Sequence, residues 1–232
     1  MKIPSVSRAE MVEIDRAMIE DFGIDLTMMM ENAGKTLAVQ ATRMLDGSAV
    51  EKRIAILVGR GNNGGGGLVA GRHLRNWGAI VHIVLGSPEE LKDEPRRQLE
   101  IAKRLGLDIE HDTDLRGFDL LIDSLIGYNL KGDPREPIAA LIKRANRSTR
   151  PILSLDLPSG LDSSSGLAYN PCIAATATLT LALPKAGLMT VGAKRFVGEL
   201  YLADISIPRE IYEKFGVEDG VLFKDDFIIP LQ

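Results

Sequence analysis

Ile54-Ala55-Ile56-Leu57-Val58-Gly59-Arg60-Gly61-Asn62-Asn63-Gly64-Gly65-Gly66-Gly67 is the stretch that decides the fold. Five apolar residues of strand length run into six glycines among the nine residues 59–67. Glycine at this density permits positive φ and lets the backbone approach a ligand closely. Leu68, Val69, Ala70, His73, Leu74 and Trp77 follow at helical spacing, which predicts a helix over residues 64–77. Amides of the glycine loop would point off that helix's N-terminus, where anions bind. A phosphate-bearing ligand is the first expectation.

Upstream, Ser7-x-x-Glu10 ahead of Met11, Ile14, Met18 and Ile19 predicts a capped amphipathic helix over residues 7–22. A second helix starts near Asp25, carries Met29, Ala33, Leu37, Ala41 and Leu45, and ends before Gly47. The three methionines at 28–30 read as core filler. Downstream, runs of strand length at 53–59, 79–85, 107–110, 118–126 and 152–155 alternate with helical patterns at 64–77, 93–105 and 136–146. Ser87-Pro88-x-Glu90 can cap a shorter turn, and Pro95 suits a helix's first turn. Two more strand-like runs at 175–183 and 200–207 precede a short helix at 209–215. Strands as uniformly apolar as Leu120-Leu121-Ile122 belong in a parallel sheet covered on both faces. The expected fold is α/β: a doubly wound, mostly parallel sheet with helices on both faces and two extra N-terminal helices. With no linker in sight, residues 1–232 read as one domain.

Composition narrows the function classes. Apolar content of 45% and charged content of 26% are those of an ordinary globular protein with an ample core. The net charge is −4, and Arg72, Arg75, Arg96, Arg97, Lys103 and Arg104 are spread over helix faces, so no nucleic-acid partner is expected. No apolar run reaches membrane-spanning length, and Met1-Lys2-Ile3-Pro4 opens no signal peptide, so no membrane is expected and the expected location is cytoplasmic. A lone Cys172 agrees with a reducing compartment. His73, His82 and His111 are too scattered for a histidine metal site.

In an open parallel sheet the ligand crevice lies at the carboxyl ends of the strands. Four segments follow strands here: the Gly/Asn loop, Asp123 to Gly132, Asp156-Leu157-Pro158-Ser159-Gly160 and Pro184-Lys185-Ala186-Gly187. Each alone has a bland reading as turn chemistry. Four on one sheet edge point to a site. The loop lacks the Gly-Lys-Ser/Thr ending of a P-loop, and Val84-Leu85-Gly86 puts no acid after the second strand, which argues against a conventional dehydrogenase.

Together these segments resemble the YjeF N-terminal domain family, whose best-known members are NAD(P)H-hydrate epimerases. The resemblance runs nearly end to end through Met30-Glu31-Asn32-Ala33-Gly34, Gly61-Asn62-Asn63-Gly64-Gly65, Asp123 to Gly127, Asp156 to Gly160 and Leu183-Pro184-Lys185-Ala186-Gly187-Leu188. It implies a Rossmann-like enzyme interconverting the R and S forms of hydrated NADH and NADPH, the dinucleotide being substrate rather than cofactor. It also implies potassium, with ligands falling on Asn63, Asp123 and Ser159. Oxygen donors of these kinds suit a hard monovalent cation. The implied substrate contacts are Asn62, Asn63, Gly64, Gly65, Gly66, then Gly127, Tyr128, Asn129, Leu130, Lys131, Gly132 and Asp133, and Asp156.

Epimerisation needs a bond to the hydroxylated carbon broken and remade from the other face, and a carboxylate can shuttle the proton. Asp156 is the candidate, with Asp156→Ala expected to abolish turnover and leave the fold intact. Lys185 could pair with a phosphate or with Asp156. The family works beside a dehydratase that this chain is too short to contain, so a separate partner protein is expected, and a homodimer stays open. One departure stands out: the family usually reads Asn-Asn-Gly-Gly-Asp-Gly, and Gly66 replaces the aspartate. Glycine there suggests a floppier loop, with an ordering cost of about 0.5–1 kcal/mol relative to alanine. It also keeps a second reading alive, a nucleotide-binding module without turnover. A hydrolase ranks last, since Ser159 has no Gly-x-Ser-x-Gly elbow around it and no histidine in a triad order.

Overall fold

The computed structural model describes residues 3–87, 91–110 and 112–231. Two helices lead, α1 (Arg8–Glu20) and α2 (Leu26–Met44). Ser7 and Glu10 close a reciprocal capping box on α1, and the Asp25 side chain caps α2 through the Met28 amide. Strands and helices then alternate: β1 (Arg53–Val58), α3 (Asn62–Asn76), β2 (Ile80–Leu85), α4 (Asp93–Arg104), β3 (Asp108–Glu110), β4 (Leu120–Ser124), α5 (Ile138–Arg147) and β5 (Ile152–Leu155). The remainder holds β6 (Ala177–Leu181), α6 (Lys194–Val197), β7 (Glu199–Ala203), α7 (Arg209–Lys214) and β8 (Ile228–Leu231).

Among the described residues the strands form one eight-stranded sheet in the order β3-β2-β1-β4-β5-β6-β7-β8. All neighbours run parallel except β7 and β8. Period-two alternation sorts the side chains. Ile54, Ile56 and Val58 pack with Leu37 of α2, Leu68 of α3 and Leu99 of α4, while Ala55 and Leu57 meet Leu141 and Ala145 of α5. Helices therefore cover both faces, as the uninterrupted apolar strands require. A third cluster joins Met11, Ile14 and Met18 of α1 to Leu183, Ile211 and Tyr212. Strand order reverses between β1 and β4, so a crevice opens at their carboxyl ends.

The glycine run departs from the sequence expectation. Helix α3 starts at Asn62, two residues ahead of the expected Gly64, and the glycines inside it are tightly packed rather than free. Close packing is the reason. A Cβ on Gly64 would stand 2.0 Å from the Gly59 carbonyl oxygen, one on Gly65 2.5 Å from Met30 Sδ, and one on Gly67 2.0 Å from Ser124 Oγ. These glycines let α3 sink against β1, β4 and α2, and the floppy loop expected around Gly66 is a helical turn. Strand β6 stops at Leu181 because Ala182 turns the chain with φ 63°. Strand β7 stops at Ala203, where the Asp204 carboxylate accepts from the Ser206 amide at 2.7 Å. Strand β8 was not foreseen; it pairs along β7 with Pro230, a residue that edge strands tolerate. The turn expected at Ser87-Pro88-x-Glu90 falls on residues 88–90, outside the described residues.

Candidate functional site

The crevice at the strand reversal is a cleft of about 770 Å³. Of the residues expected at a site, Asn62, Asn63, Gly66, Gly127, Tyr128, Asn129, Leu130, Lys131, Asp133, Asp156 and Lys185 line it. Gly64 and Gly65 are buried by helix packing, and Gly132 is outside the lining. Asp123 and Ser159 lie fully buried and are not part of that lining.

Asp156 follows β5 in the left-handed region, φ 68°. The Leu157 amide donates to the Leu155 carbonyl at 2.9 Å, closing a three-residue turn around it. That backbone is rare and strained for a non-glycine residue, and such strain concentrates at functional positions. Opposite, the turn at Ala182 redirects the chain so that Lys185, 1% exposed, reaches back. Its ammonium donates to Asp156 Oδ1 and to the Leu181 carbonyl at 2.9 Å. Val6 holds this segment from the N-terminal side, donating to the Pro184 carbonyl and accepting from the Ala186 amide. Lys185 thus pairs with Asp156 and lines the cleft beside it. The Thr180 hydroxyl also turns to Oδ1 at 3.5 Å, leaving Oδ2 with no protein donor among the described residues.

Asp123, at the end of β4, is wholly buried. Its Oδ1 accepts from Ser159 Oγ at 2.6 Å and the Leu125 amide at 3.2 Å, and its Oδ2 from Ser154 Oγ and the Ser159 amide, each at 2.8 Å. Burial pushes its carboxyl pKa up, and these donors pull it back. None of the four is cationic. Close by, Asn63 packs against Gly127, and its buried Nδ2 has no hydrogen-bond partner. An orphaned buried amide costs about 1–3 kcal/mol unless something else meets it.

Residues the sequence reading missed complete the cleft. Met11 and Asp15 come from α1, and Met29, Met30 and Ala33 from α2. The Tyr128 hydroxyl donates to Asp15 Oδ2 at 2.5 Å. Burial raises the pKa of both groups, Asp15 from an ordinary carboxylate value and Tyr128 from an ordinary phenol value. A signal for Asp15 existed: it lies on the same helix stripe as Met11, Ile14 and Met18, where a carboxylate needs a reason. Arg60, Lys92 and Arg135 join Lys131 at the basic rim. Among the described residues no three His, Cys, Asp or Glu side chains gather as a metal cluster, and no helix is long and apolar enough to cross a membrane.

Residues 26–187 match the family described as YjeF-related protein N-terminus. The chain belongs to that family. A relative named NAD(P)H-hydrate epimerase, from Dehalogenimonas lykanthroporepellens, is 40% identical over 94% of this chain and 87% of its own. Another of that name, from Rhodopirellula baltica, is 32% identical over 94% and 90%. One from Moorella thermoacetica, named bifunctional NAD(P)H-hydrate repair enzyme, is 38% identical over 89% of this chain but only 41% of its own. The fold matches a crystal structure of the yeast protein ynu0 with a TM-score of 0.86 at 24% identity, covering 99% of this chain and all of that one. Family motifs gain a physical meaning. In Met30-Glu31-Asn32-Ala33-Gly34, Gly34 admits Val69 of α3, while Glu31 pairs with Arg72 and His73.

Proposed function

We propose that this chain interconverts the R and S forms of hydrated NADH and NADPH. The observation that carries the reading is the strained, lysine-held Asp156 in a cleft that also receives the N-terminus of α3. The names of relatives covering most of the chain support it. Uncapped amides of the α3 first turn and the basic rim suit a pyrophosphate. Met29 and Met30 offer an apolar wall for a ring. The C–O bond at the hydroxylated carbon breaks, the ring nitrogen's lone pair stabilises the cation, and water returns from the other face. Asp156 Oδ2 exchanges the proton while Lys185 fixes Oδ1. A dehydratase acting on one epimer is the expected pathway partner, in keeping with relatives named bifunctional repair enzymes.

Potassium fits on donor type and charge: a buried carboxylate with no cation beside it, and the Asn63 amide, whose orphaned Nδ2 would exchange places with its oxygen so that the oxygen meets the ion. Asn63, Asp123 and Ser159 would hold it. All four acceptor positions on Asp123 are taken, so the Ser159 hydroxyl would rotate to present a lone pair. When bound, the ion supplies positive charge to the buried edge of β4 and β5.

An NMR assay of R/S hydrate exchange with purified protein tests the reading. Exchange proportional to enzyme is expected. No exchange at any enzyme level, with a nucleotide still raising Tm, favours the second reading, a binding module without turnover. Gly66 motivates it, since a Cβ there would meet Leu155 Cδ2 at 2.7 Å. Leu155 can swing aside, so a gain of exchange in Gly66→Asp would mark a lapsed enzyme.

A further inference from the structure

Changing the face of a ring carbon by loss and return of water demands proton transfer on both faces. A single carboxylate on one wall serves one face. The acidic side chains lining the cleft, among the described residues, are Asp15, Asp133, Glu136 and Asp156. Asp133 accepts from the Asn170 amide at 2.9 Å, and Glu136 is engaged with the Ala140 amide at the exposed rim. Asp15 is different. It reaches the cleft from α1, sits within electrostatic range of Asp156 and Lys185, and is held by a neutral phenol.

We propose that Asp15 is a second proton-transfer carboxyl, working on the hydrated ring from the α1 side while Asp156 works from the β5 side. The inference rests on the epimerase reading above. In one direction the Asp15 carboxylic acid gives its proton to the ring hydroxyl. The C–O bond breaks, its electron pair leaving with the oxygen as water. A second water adds to the carbon from the other face, and its proton passes to Asp156 Oδ2. One water leaves, one enters, and one proton moves from Asp15 to Asp156. The reverse conversion returns that proton. Burial agrees with an Asp15 that keeps its proton at higher pH than an ordinary carboxyl. The groups facing it are Tyr128 from the loop after β4, Asp156 from β5 and Lys185 after β6. On its own helix Glu13 and Arg16 pair with each other.

The test compares wild type, Asp15→Asn and Tyr128→Phe by NMR exchange, with kcat, KM and Tm for each across pH. Asp15→Asn should lower kcat about 100-fold or more in both directions, the usual worth of a positioned acid or base, with KM and Tm near wild type. As pH rises past the Asp15 pKa, wild-type kcat should fall in the direction that needs the acid. Removing the phenol, which favours the carboxylate, should move that falling limb to higher pH in Tyr128→Phe. Should Asp15→Asn fail to fold, the Tyr128→Phe limb decides. Wild-type kcat in Asp15→Asn, or an unmoved limb in Tyr128→Phe, overturns the inference and leaves the epimerase reading standing. Absence of exchange in wild type removes both.

Discussion

At Asp156 a left-handed backbone, a buried ammonium and a proposed proton shuttle coincide in one residue. Substitutions there separate these roles. Asn tolerates the left-handed region and keeps the shape of the side chain. Asp156→Asn should lower exchange by about 100-fold or more while the protein stays folded. Asp156→Ala strands Lys185, 1% exposed, without its anion. Breaking a buried pair from one side costs about 3–5 kcal/mol, so the expectation of an intact fold in Asp156→Ala is revised by the structure. Urea denaturation of Asp156→Ala against wild type checks this: equal midpoints would show that the pair carries no stability. The sequence exposed both residues as strand-end chemistry. Their pairing depends on two turns, at Asp156 and Ala182, that no local pattern announces.

Helix α3 shows the same division at the scale of an element. Its span from Gly64 onward was legible, but the packing role of its glycines was not, because sequence cannot say how near β4 lies. Gly67 makes the point testable. In an exposed helix Gly→Ala gains about 1 kcal/mol of propensity. Here a new Cβ would stand 2.0 Å from Ser124 Oγ and 3.1 Å from Ile56 Cγ2. Overpacking of that kind costs about 1–3 kcal/mol, so Gly67→Ala should lower the urea midpoint. A raised midpoint would mean that α3 does not pack this closely. Helix α1 carries the complementary lesson. Its capping box was read from Ser7 and Glu10 alone, whereas the cleft-facing role of Asp15 emerged only once α1 was seen against Tyr128.

Across the whole molecule, the carboxyl ends of β1, β4 and β5 meet at the strand reversal, joining Ser159 to Asp123 and setting Asn63 against Gly127, next to the Ile126 amide that donates to Ser159. If a cation ties these ends together, binding to the folded state must raise Tm. Potassium chloride should therefore give a higher Tm than tetramethylammonium chloride at equal ionic strength, and Asn63→Ala should erase the difference. Equal Tm values for wild type in the two salts would sink the cation reading. Element order, the parallel sheet, the helices on both faces and the crowding of polar residues at one sheet edge were all determined by sequence, because periodicity and chain order are local. The lysine partner of Asp156, the α1 wall with Asp15, the buried glycines of α3 and the antiparallel edge strand were decided by tertiary structure alone. Those contacts join residues far apart in the chain, 113 positions for Asp15 and Tyr128, and only packing of the finished layers sets such distances.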